Sequence, residues 1–166
     1  GVLYNIAYLF HRDGRIDKQY KLHITPSEGH WWGVSSGSEM KVFDTDCGKV
    51  AILICYDVEF PENVRRLAMA GAELIVGPTA TPAGASGTFI AEKMIPVRAF
   101  ENQIFVAYAN NCGTDRDFEY AGQSIIAAPD GSALACAGLA EEFLTADIDF
   151  GPYATSRREN TYLRDL

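Results

Sequence analysis

The first part of the chain shows strand patterns separated by turn and loop signals. Residues 2–10 are rich in β-branched and aromatic side chains, and the Asp13-Gly14 pair that follows is a strong turn signal. This pattern predicts a strand, a tight turn and a second strand over residues 16–24. Residues 25–37 have the Pro, Gly and Ser content typical of loops, so we expect a long ordered loop there.

The middle of the chain predicts a β-α-β unit. The pattern over residues 39–56 indicates a hairpin that turns at residues 46–49. Pro61 suits the first turn of a helix, and Gly71 stands where a C-terminal cap is expected. The apolar run at residues 72–78 supplies the next strand, so this helix would connect two strands of one sheet.

The second half repeats this mixture of strands and helices. Residues 88–101 have helical spacing, and Pro96 predicts either a kink or the real start of that helix. A buried strand is expected over residues 102–111, followed by a hairpin turning at residues 129–131, a last strand over residues 141–150 and an irregular tail. Hairpins together with β-α-β units predict an α/β fold, a layered sandwich with mixed sheets.

Length and composition favour a single domain over residues 1–166, with 48% hydrophobic residues. No apolar run approaches the roughly 20 residues of a membrane helix, and no signal peptide is recognisable. We therefore expect a cytoplasmic protein with no membrane partner. The net charge of -8 and the 14 scattered Lys and Arg residues argue against a nucleic-acid partner, because phosphate binding requires clustered cations.

The cysteines and histidines show no metal-binding pattern. The four cysteines form no CxxC pair, and the three histidines lack the i, i+4 spacing of a helical metal site. Neither a disulfide framework, a metal nor a cofactor is expected. These residues are Cys47, Cys55, Cys112, Cys136, His11, His23 and His30.

Cys55 stands where an apolar strand ends and a helix is expected to begin. A thiol at this position would lie near backbone N–H groups and the positive end of a helix, which favour the thiolate. The turn between strand and helix is also where hydrolases of the G-x-S-x-G type expose their nucleophile. The alternative is a structural thiol that packs as a small hydrophobe.

Lys21 and Glu28 each have two interpretations. Lys21 lies in an apolar strand segment, where it is either an edge-strand charge or an ammonium directed into a site. Glu28 is either a solvated loop carboxylate or a partner for Lys21, with Pro26 turning the chain between them.

Five segments in order resemble the nitrilase superfamily of carbon–nitrogen hydrolases. GKVAILICYDVEFPE is similar to the superfamily's cysteine signature, and YKLHITPSE to its lysine segment followed by a second glutamate. YNIAYLFHRDG resembles the strand and turn before that lysine. VRAFENQIFVAYANNCG and GQSIIAAPDG resemble the downstream blocks, so the likeness runs from about Tyr4 to Asp149.

The resemblance implies a nitrilase-like α-β-β-α sandwich that forms homodimers or larger homo-oligomers, with a Glu-Lys-Cys triad. Cys55 would attack the carbonyl carbon of a small-molecule amide and form a thioester, which water then hydrolyses. Lys21 and the backbone N–H of Tyr56 would stabilise the oxyanion. Glu28 would hydrogen-bond Lys21 and help to orient the substrate.

The resemblance also implies that part of the family domain is not in this sequence. The family's general base is a glutamate on an early strand before the lysine, and this chain begins after that position. Glu28 follows Lys21 and corresponds to the second glutamate instead. We therefore expect a fold that is incomplete at its N-terminus and little turnover from these 166 residues alone.

Within the superfamily, the segment CYDVEFPE resembles amidases more than true nitrilases, which usually carry a tryptophan after the cysteine. An amide is thus favoured over a nitrile, and an N-carbamoyl amide stays open. The segments are most similar to a branch of amidohydrolases sometimes fused to an acetyltransferase domain. Substrate contacts are expected from Trp31, Trp32 and the loop at residues 79–87, including Thr79 and Thr81.

Two other classes of protein compete with this interpretation. A non-catalytic nitrilase-like subunit would keep the fold without the chemistry. A papain-like cysteine hydrolase needs a histidine after its cysteine, and all three histidines precede Cys55.

Overall fold

The computed structural model describes residues 1–166 and contains short strands and short helices. The strands are β1 Leu3–Tyr4, β2 Ile6–Phe10, β3 Ile16–Tyr20, β4 Val34–Ser35, β5 Val42–Thr45, β6 Gly48–Ile52, β7 Leu74–Thr79, β8 Phe105–Asn110, β9 Thr114–Asp115, β10 Phe118–Glu119, β11 Ile125–Ala127 and β12 Ala133–Cys136. The helices are α1 Pro26–Trp32, α2 Pro61–Met69, α3 Ala85–Phe89, α4 Ile95–Asn102 and α5 Ala154–Glu159. None of these helices has both the length and the apolar character needed to cross a membrane.

A six-stranded mixed sheet in the order β12-β11-β8-β7-β6-β5 organises the fold. The central strands β6, β7 and β8 are parallel, whereas β5, β11 and β12 pair antiparallel to their neighbours. The predicted mixture of hairpins and a β-α-β unit is therefore confirmed. The helix of that unit, α2, starts at Pro61 as expected.

The two faces of this sheet are covered by different layers. Helices α2 and α4 pack on one face, where Leu67 and Ile95 join Ile75 of β7 in the main hydrophobic core. On the other face, Ala7 and Leu9 of β2 pack against a smaller cluster formed by Phe43, Ile52 and Ile54. The layers are, in order, the helices, the six-stranded sheet and the β2–β3 hairpin. This is the layered α/β sandwich that the sequence predicts.

The loop predicted over residues 25–37 is wrong in its first part, because α1 forms there. Thr25 caps the helix by accepting a hydrogen bond from the backbone N–H of Glu28, while the Glu28 carboxylate accepts from the backbone N–H of Thr25. Pro26 occupies the first turn, and Gly33 ends the helix in the left-handed conformation at φ 63°. The Pro and Gly that indicated a loop are the start and stop signals of a short helix.

The predicted strand over residues 141–150 is also wrong, because no strand forms there. Its apolar positions have no neighbouring strand to pair with, and Phe143 is 93% exposed. Phe150 instead packs edge-on against Phe105, with 4.8 Å between ring centroids. The tail that follows is not irregular, since it contains a 3-10 turn at Gly151–Tyr153 and helix α5.

The helix expected over residues 88–101 is present in three pieces. Helix α3 leads into a π-helical turn at Ile90–Met94, and α4 begins at Ile95. Pro96 lies in the first turn of α4, where a missing backbone N–H is tolerated. Met94, just before α4, is itself helical at φ -69° and ψ -44°, so Pro96 does not begin a separate helix and instead follows the π-helical turn within one helical run.

Candidate active site

Cys55 lies just beyond the end of β6, at the start of a 3-10 turn that runs from Cys55 to Glu59. Helix α2 begins only at Pro61, so Cys55 does not stand at the mouth of that helix as the sequence suggested. Its backbone has a positive φ of 52°, which is unusual for a residue with a side chain. The chain therefore turns sharply at Cys55, whose side chain is only partly buried.

Lys21 and Glu28 form a buried ion pair. The distance from Lys21 Nζ to Glu28 Oε2 is 2.6 Å, and the two residues are 2% and 7% exposed. Lys21 is thus not an edge-strand charge, and Glu28 is not a solvated loop carboxylate. A buried ammonium requires such a partner, because leaving it unpaired costs several kcal/mol, by order of magnitude.

Three further donors hold the Glu28 carboxylate in place. Oε2 accepts from the backbone N–H and the hydroxyl of Thr25, both at 2.9 Å, and Oε1 accepts from Asn5 Nδ2 at 3.1 Å. Burial acts to raise the pKa of Glu28, but the hydrogen bonds from Lys21, Thr25 and Asn5 outweigh it and lower that pKa below its ordinary value. Glu28 therefore stays ionised opposite Lys21.

Asp57 connects the lysine segment to the cysteine turn. Its buried carboxylate accepts hydrogen bonds from the backbone N–H of Leu22 and of His23, the latter at 2.7 Å, and from the backbone N–H of Ile54 at 3.3 Å. The His23 ring lies 3.1 Å from the same carboxylate and stacks on Phe60. The backbone on both sides of the site is therefore tied to one side chain.

Arg98 supports the far end of the cysteine turn from α4. Its guanidinium donates to the backbone carbonyl groups of Val58 and Glu59, at 3.2 and 2.7 Å, and pairs with Glu101 at 3.1 Å. Asn102 donates to the carbonyl of Arg98. Arg98 thus fixes the end of the turn through its backbone carbonyl groups.

One cavity of about 560 Å³ brings most of the predicted residues together. The sequence-predicted residues among its lining are Cys55, Lys21, Glu28, Tyr56, Trp32, Thr79 and Thr81. Trp31 does not line it, because a helix turns successive side chains by about 100°. Trp31 is 66% exposed on the outer side of α1.

The Thr81 hydroxyl lies 2.8 Å from the hydroxyl of Tyr108. Burial raises the pKa of Tyr108 to about 12, so the phenol stays protonated and available as a hydrogen-bond donor. Thr79 bonds back to the carbonyl of Gly77 at 3.0 Å. Both threonines are thus held in fixed positions at the cavity wall.

The sequence reasoning missed three polar residues of this site. The sequence carries no signal for Asn5 beyond its place in a strand pattern. Asp57 and Glu59 belong to the cysteine segment, but nothing in the sequence indicated a separate role for them. A clue for Asp57 was its position in the first turn after a strand, where a carboxylate can accept from exposed backbone N–H groups. No cluster of three or more His, Cys, Asp or Glu residues that could hold a metal ion is present.

Comparison with known sequences identifies related proteins. The sequence model of a family described as carbon-nitrogen hydrolase matches residues 1–158. The chain is 44% identical over 166 residues to the hydrolase in pqqF 5'region of Pseudomonas protegens, covering 99% of this chain and 58% of that protein. It is 34% identical over 165 residues to 2-oxoglutaramate amidase of Bacillus subtilis, covering 99% of this chain and 63% of that protein.

Two solved structures share the fold. An amidase of the nitrilase superfamily from Nesterenkonia AN1 superposes with a TM-score of 0.84 at 29% identity, over 97% of this chain and 58% of that one. Nit3 of Saccharomyces cerevisiae, a member of branch 10 of the superfamily, gives 0.85 at 29% identity, over 94% and 57%. The chain thus spans between 57% and 63% of the length of these four proteins.

Replacing Glu28 by Gln should strongly destabilise the protein. The change leaves the Lys21 ammonium buried without its counter-charge, so we expect the free energy of unfolding to fall by about 3 to 5 kcal/mol. Urea denaturation measures this loss. Glu39→Gln is the matched control, because the Glu39–Lys41 pair is exposed and its loss should change little.

The same experiment has a pH dependence with a defined sign. The folded-state pKa of Glu28 is lower than its ordinary value of 4.5, so its stabilisation is fully present above the unfolded-state pKa and is lost as pH falls through the folded-state pKa. The difference in the free energy of unfolding between wild type and Glu28→Gln should therefore become smaller at acidic pH. If this difference stays constant as the pH falls through the folded-state pKa of Glu28, the assigned ion pair is contradicted.

The positive φ of Cys55 predicts that Gly is better tolerated there than Ala. A left-handed conformation costs a residue with a Cβ about 1 kcal/mol, and glycine avoids that cost. Cys55→Gly should thus be more stable than Cys55→Ala by about 1 kcal/mol in urea denaturation. At Cys112, which has no positive φ, the order should be reversed; the same order at both positions would refute the strained turn.

Proposed function

This chain belongs to the carbon–nitrogen hydrolase family of the nitrilase superfamily, and from this membership we propose that it hydrolyses a small-molecule amide through a thioester on Cys55. One observation carries the proposal: the partly buried thiol of Cys55 and the buried ammonium of Lys21 border the same cavity. A nucleophile and a fixed positive charge at one cavity are the parts that acyl transfer requires.

The reaction would proceed in two steps. The sulfur of Cys55 gives up its proton and attacks the carbonyl carbon, the carbon–nitrogen bond breaks, and the nitrogen takes up that proton and leaves as ammonia or an amine. Water then attacks the thioester carbon, the carbon–sulfur bond breaks, and the acid leaves while the thiol is restored. No cofactor enters this balance.

Lys21 would stabilise the negative charge that develops on the carbonyl oxygen, together with the backbone N–H of Tyr56. Such donors act most strongly when they are held in place before the reaction starts. Glu28 supports this role because its carboxylate fixes the Lys21 ammonium at 2.6 Å and is itself held by Thr25 and Asn5. Glu28 is thus proposed as a positioning residue for Lys21.

The related proteins support an amide as substrate. The Nesterenkonia amidase has been solved with butyramide in one mutant, and with the acetamide moiety of fluoroacetamide added covalently at its active-site cysteine in another. The chain is also 35% identical to a nitrilase of Pyrococcus abyssi, so nitriles belong in any substrate test. N-carbamoyl amides should be included because the sequence leaves them open as substrates.

We also propose three properties that the sequence predicts. They are a single domain over residues 1–166, a cytoplasmic location, and assembly into homodimers or larger homo-oligomers. The side chains of Tyr8, Phe10 and Ile16 on the β2–β3 hairpin are exposed. These apolar side chains support the proposed assembly, because a second subunit would cover them.

Replacing Cys55 by Ala should abolish amide hydrolysis while the protein stays folded. Ammonia release from a panel of small amides, nitriles and N-carbamoyl amides measures activity, and circular dichroism measures folding. Cys112→Ala is the matched control, because Cys112 is buried to a similar degree and should be dispensable. We expect a loss of at least about 10³-fold for Cys55→Ala only, as for removal of other nucleophiles.

The alternatives give different results in the same assay. Hydrolysis that survives Cys55→Ala would refute the nucleophile. If the wild-type protein acts on nitriles but not on amides, nitriles replace amides as the substrate class. No hydrolysis of any compound by the folded wild type would favour the non-catalytic subunit.

A further inference from the structure

Glu59 is a second carboxylate in the cavity, and the reaction above does not use it. It closes the 3-10 turn that Cys55 opens, and its partly buried side chain lines the same cavity. With a rise of about 2.0 Å per residue, the two Cα atoms lie about 8 Å apart along that turn. Glu59 therefore borders the cavity at a distance from Cys55 that a substrate chain of several bonds would span.

The Glu59 carboxylate has no hydrogen bond or ion pair within the chain. Only its backbone carbonyl is used, as an acceptor for Arg98. Both nearby cations are committed elsewhere, since Lys21 pairs with Glu28, and Arg98 pairs with Glu101. Burial raises the pKa of Glu59, and the charges of Lys21 and Arg98 oppose this without reversing it. The carboxylate thus lacks a counter-charge.

The rest of the cavity also suits a cation. Its only other charged lining residues are Lys21 and Glu28, which neutralise each other, so Glu59 leaves one net negative charge. Aromatic rings attract cations to their faces, and four line the cavity: Trp32, Tyr56, Phe118 and Tyr120. No arginine borders the cavity to hold a substrate carboxylate.

We infer that Glu59 binds a positively charged amine on the substrate, so that this site takes amides that carry an alkylammonium group several bonds from the amide carbon. The inference rests on the proposed amide hydrolysis and narrows its substrate class. It also sets this chain apart from its relative 2-oxoglutaramate amidase, whose named substrate carries a carboxylate. A carboxylate at that position would meet Glu59 as a like charge.

Three amides of similar length test the charge preference directly. They are 5-aminopentanamide with a cationic end, hexanamide with a neutral end and 4-carbamoylbutanoate with an anionic end. Wild-type kcat/KM should follow that order. In Glu59→Gln, the ratio of kcat/KM for the cationic amide to that for the neutral amide should fall about 10-fold to 100-fold, the effect of losing a hydrogen bond to a charged group.

Two control variants separate charge from other effects. Glu59→Asp keeps the negative charge and should retain most of the preference, whereas Glu159→Gln, at an exposed position in α5, should leave the ratio unchanged. An equal loss for the cationic and neutral amides in Glu59→Gln would overturn the inference, because it would place Glu59 in the chemistry or in folding.

A binding measurement keeps this test independent of turnover. Calorimetry with the Cys55→Ala protein should show tighter binding of 5-aminopentanamide than of hexanamide, and Glu59→Gln in that background should remove the difference. If wild type hydrolyses no amide but the binding preference is present, the proposed function fails and the cation site stands. Equal affinity for all three amides, or no measurable binding of any, would overturn the cation site.

Discussion

The buried ion pair between Lys21 and Glu28 is the interaction on which the rest of the site depends. An ammonium that is 2% exposed cannot be left without a counter-charge, so the fold must deliver a carboxylate to it. Helix α1 does this, and its cap makes Thr25 a hydrogen-bond donor to the same carboxylate. Asn5, in the short link between β1 and β2, supplies the remaining donor. The β2–β3 hairpin and α1 are thus held together through one charged group.

A second set of contacts fixes this lysine segment relative to the cysteine. The Asp57 carboxylate accepts hydrogen bonds from backbone N–H groups on both sides of the site. Arg98 holds the end of the turn by donating to backbone carbonyl groups of the turn. These contacts define a sharp turn in which Cys55 adopts a positive φ. Rigid placement of the thiol and of the ammonium is what a preorganised acyl-transfer site needs.

Much of this could be predicted from the sequence, and the failures have physical reasons. The strands of the central sheet were predictable because their apolar runs end at clear turn signals. Helix α1 was not predicted because Pro26 and Gly33 are also typical of loops, although here they begin and end seven helical residues. The strand expected over residues 141–150 has the right alternation but no partner. Lys21 and Glu28 were chosen by resemblance, whereas the role of Asp57 and the unpaired state of Glu59 depend on distances that no local pattern contains.

The central claim is that Cys55, and no other cysteine, is placed to attack a carbon in this cavity. Peptide mass mapping after brief exposure of the protein to iodoacetamide, which alkylates thiols by displacement of iodide, tests this placement. We expect Cys55 to be alkylated first, ahead of Cys47 and Cys136, although those two thiols are more exposed. Labelling that follows exposure, with Cys47 and Cys136 modified before Cys55, would contradict it.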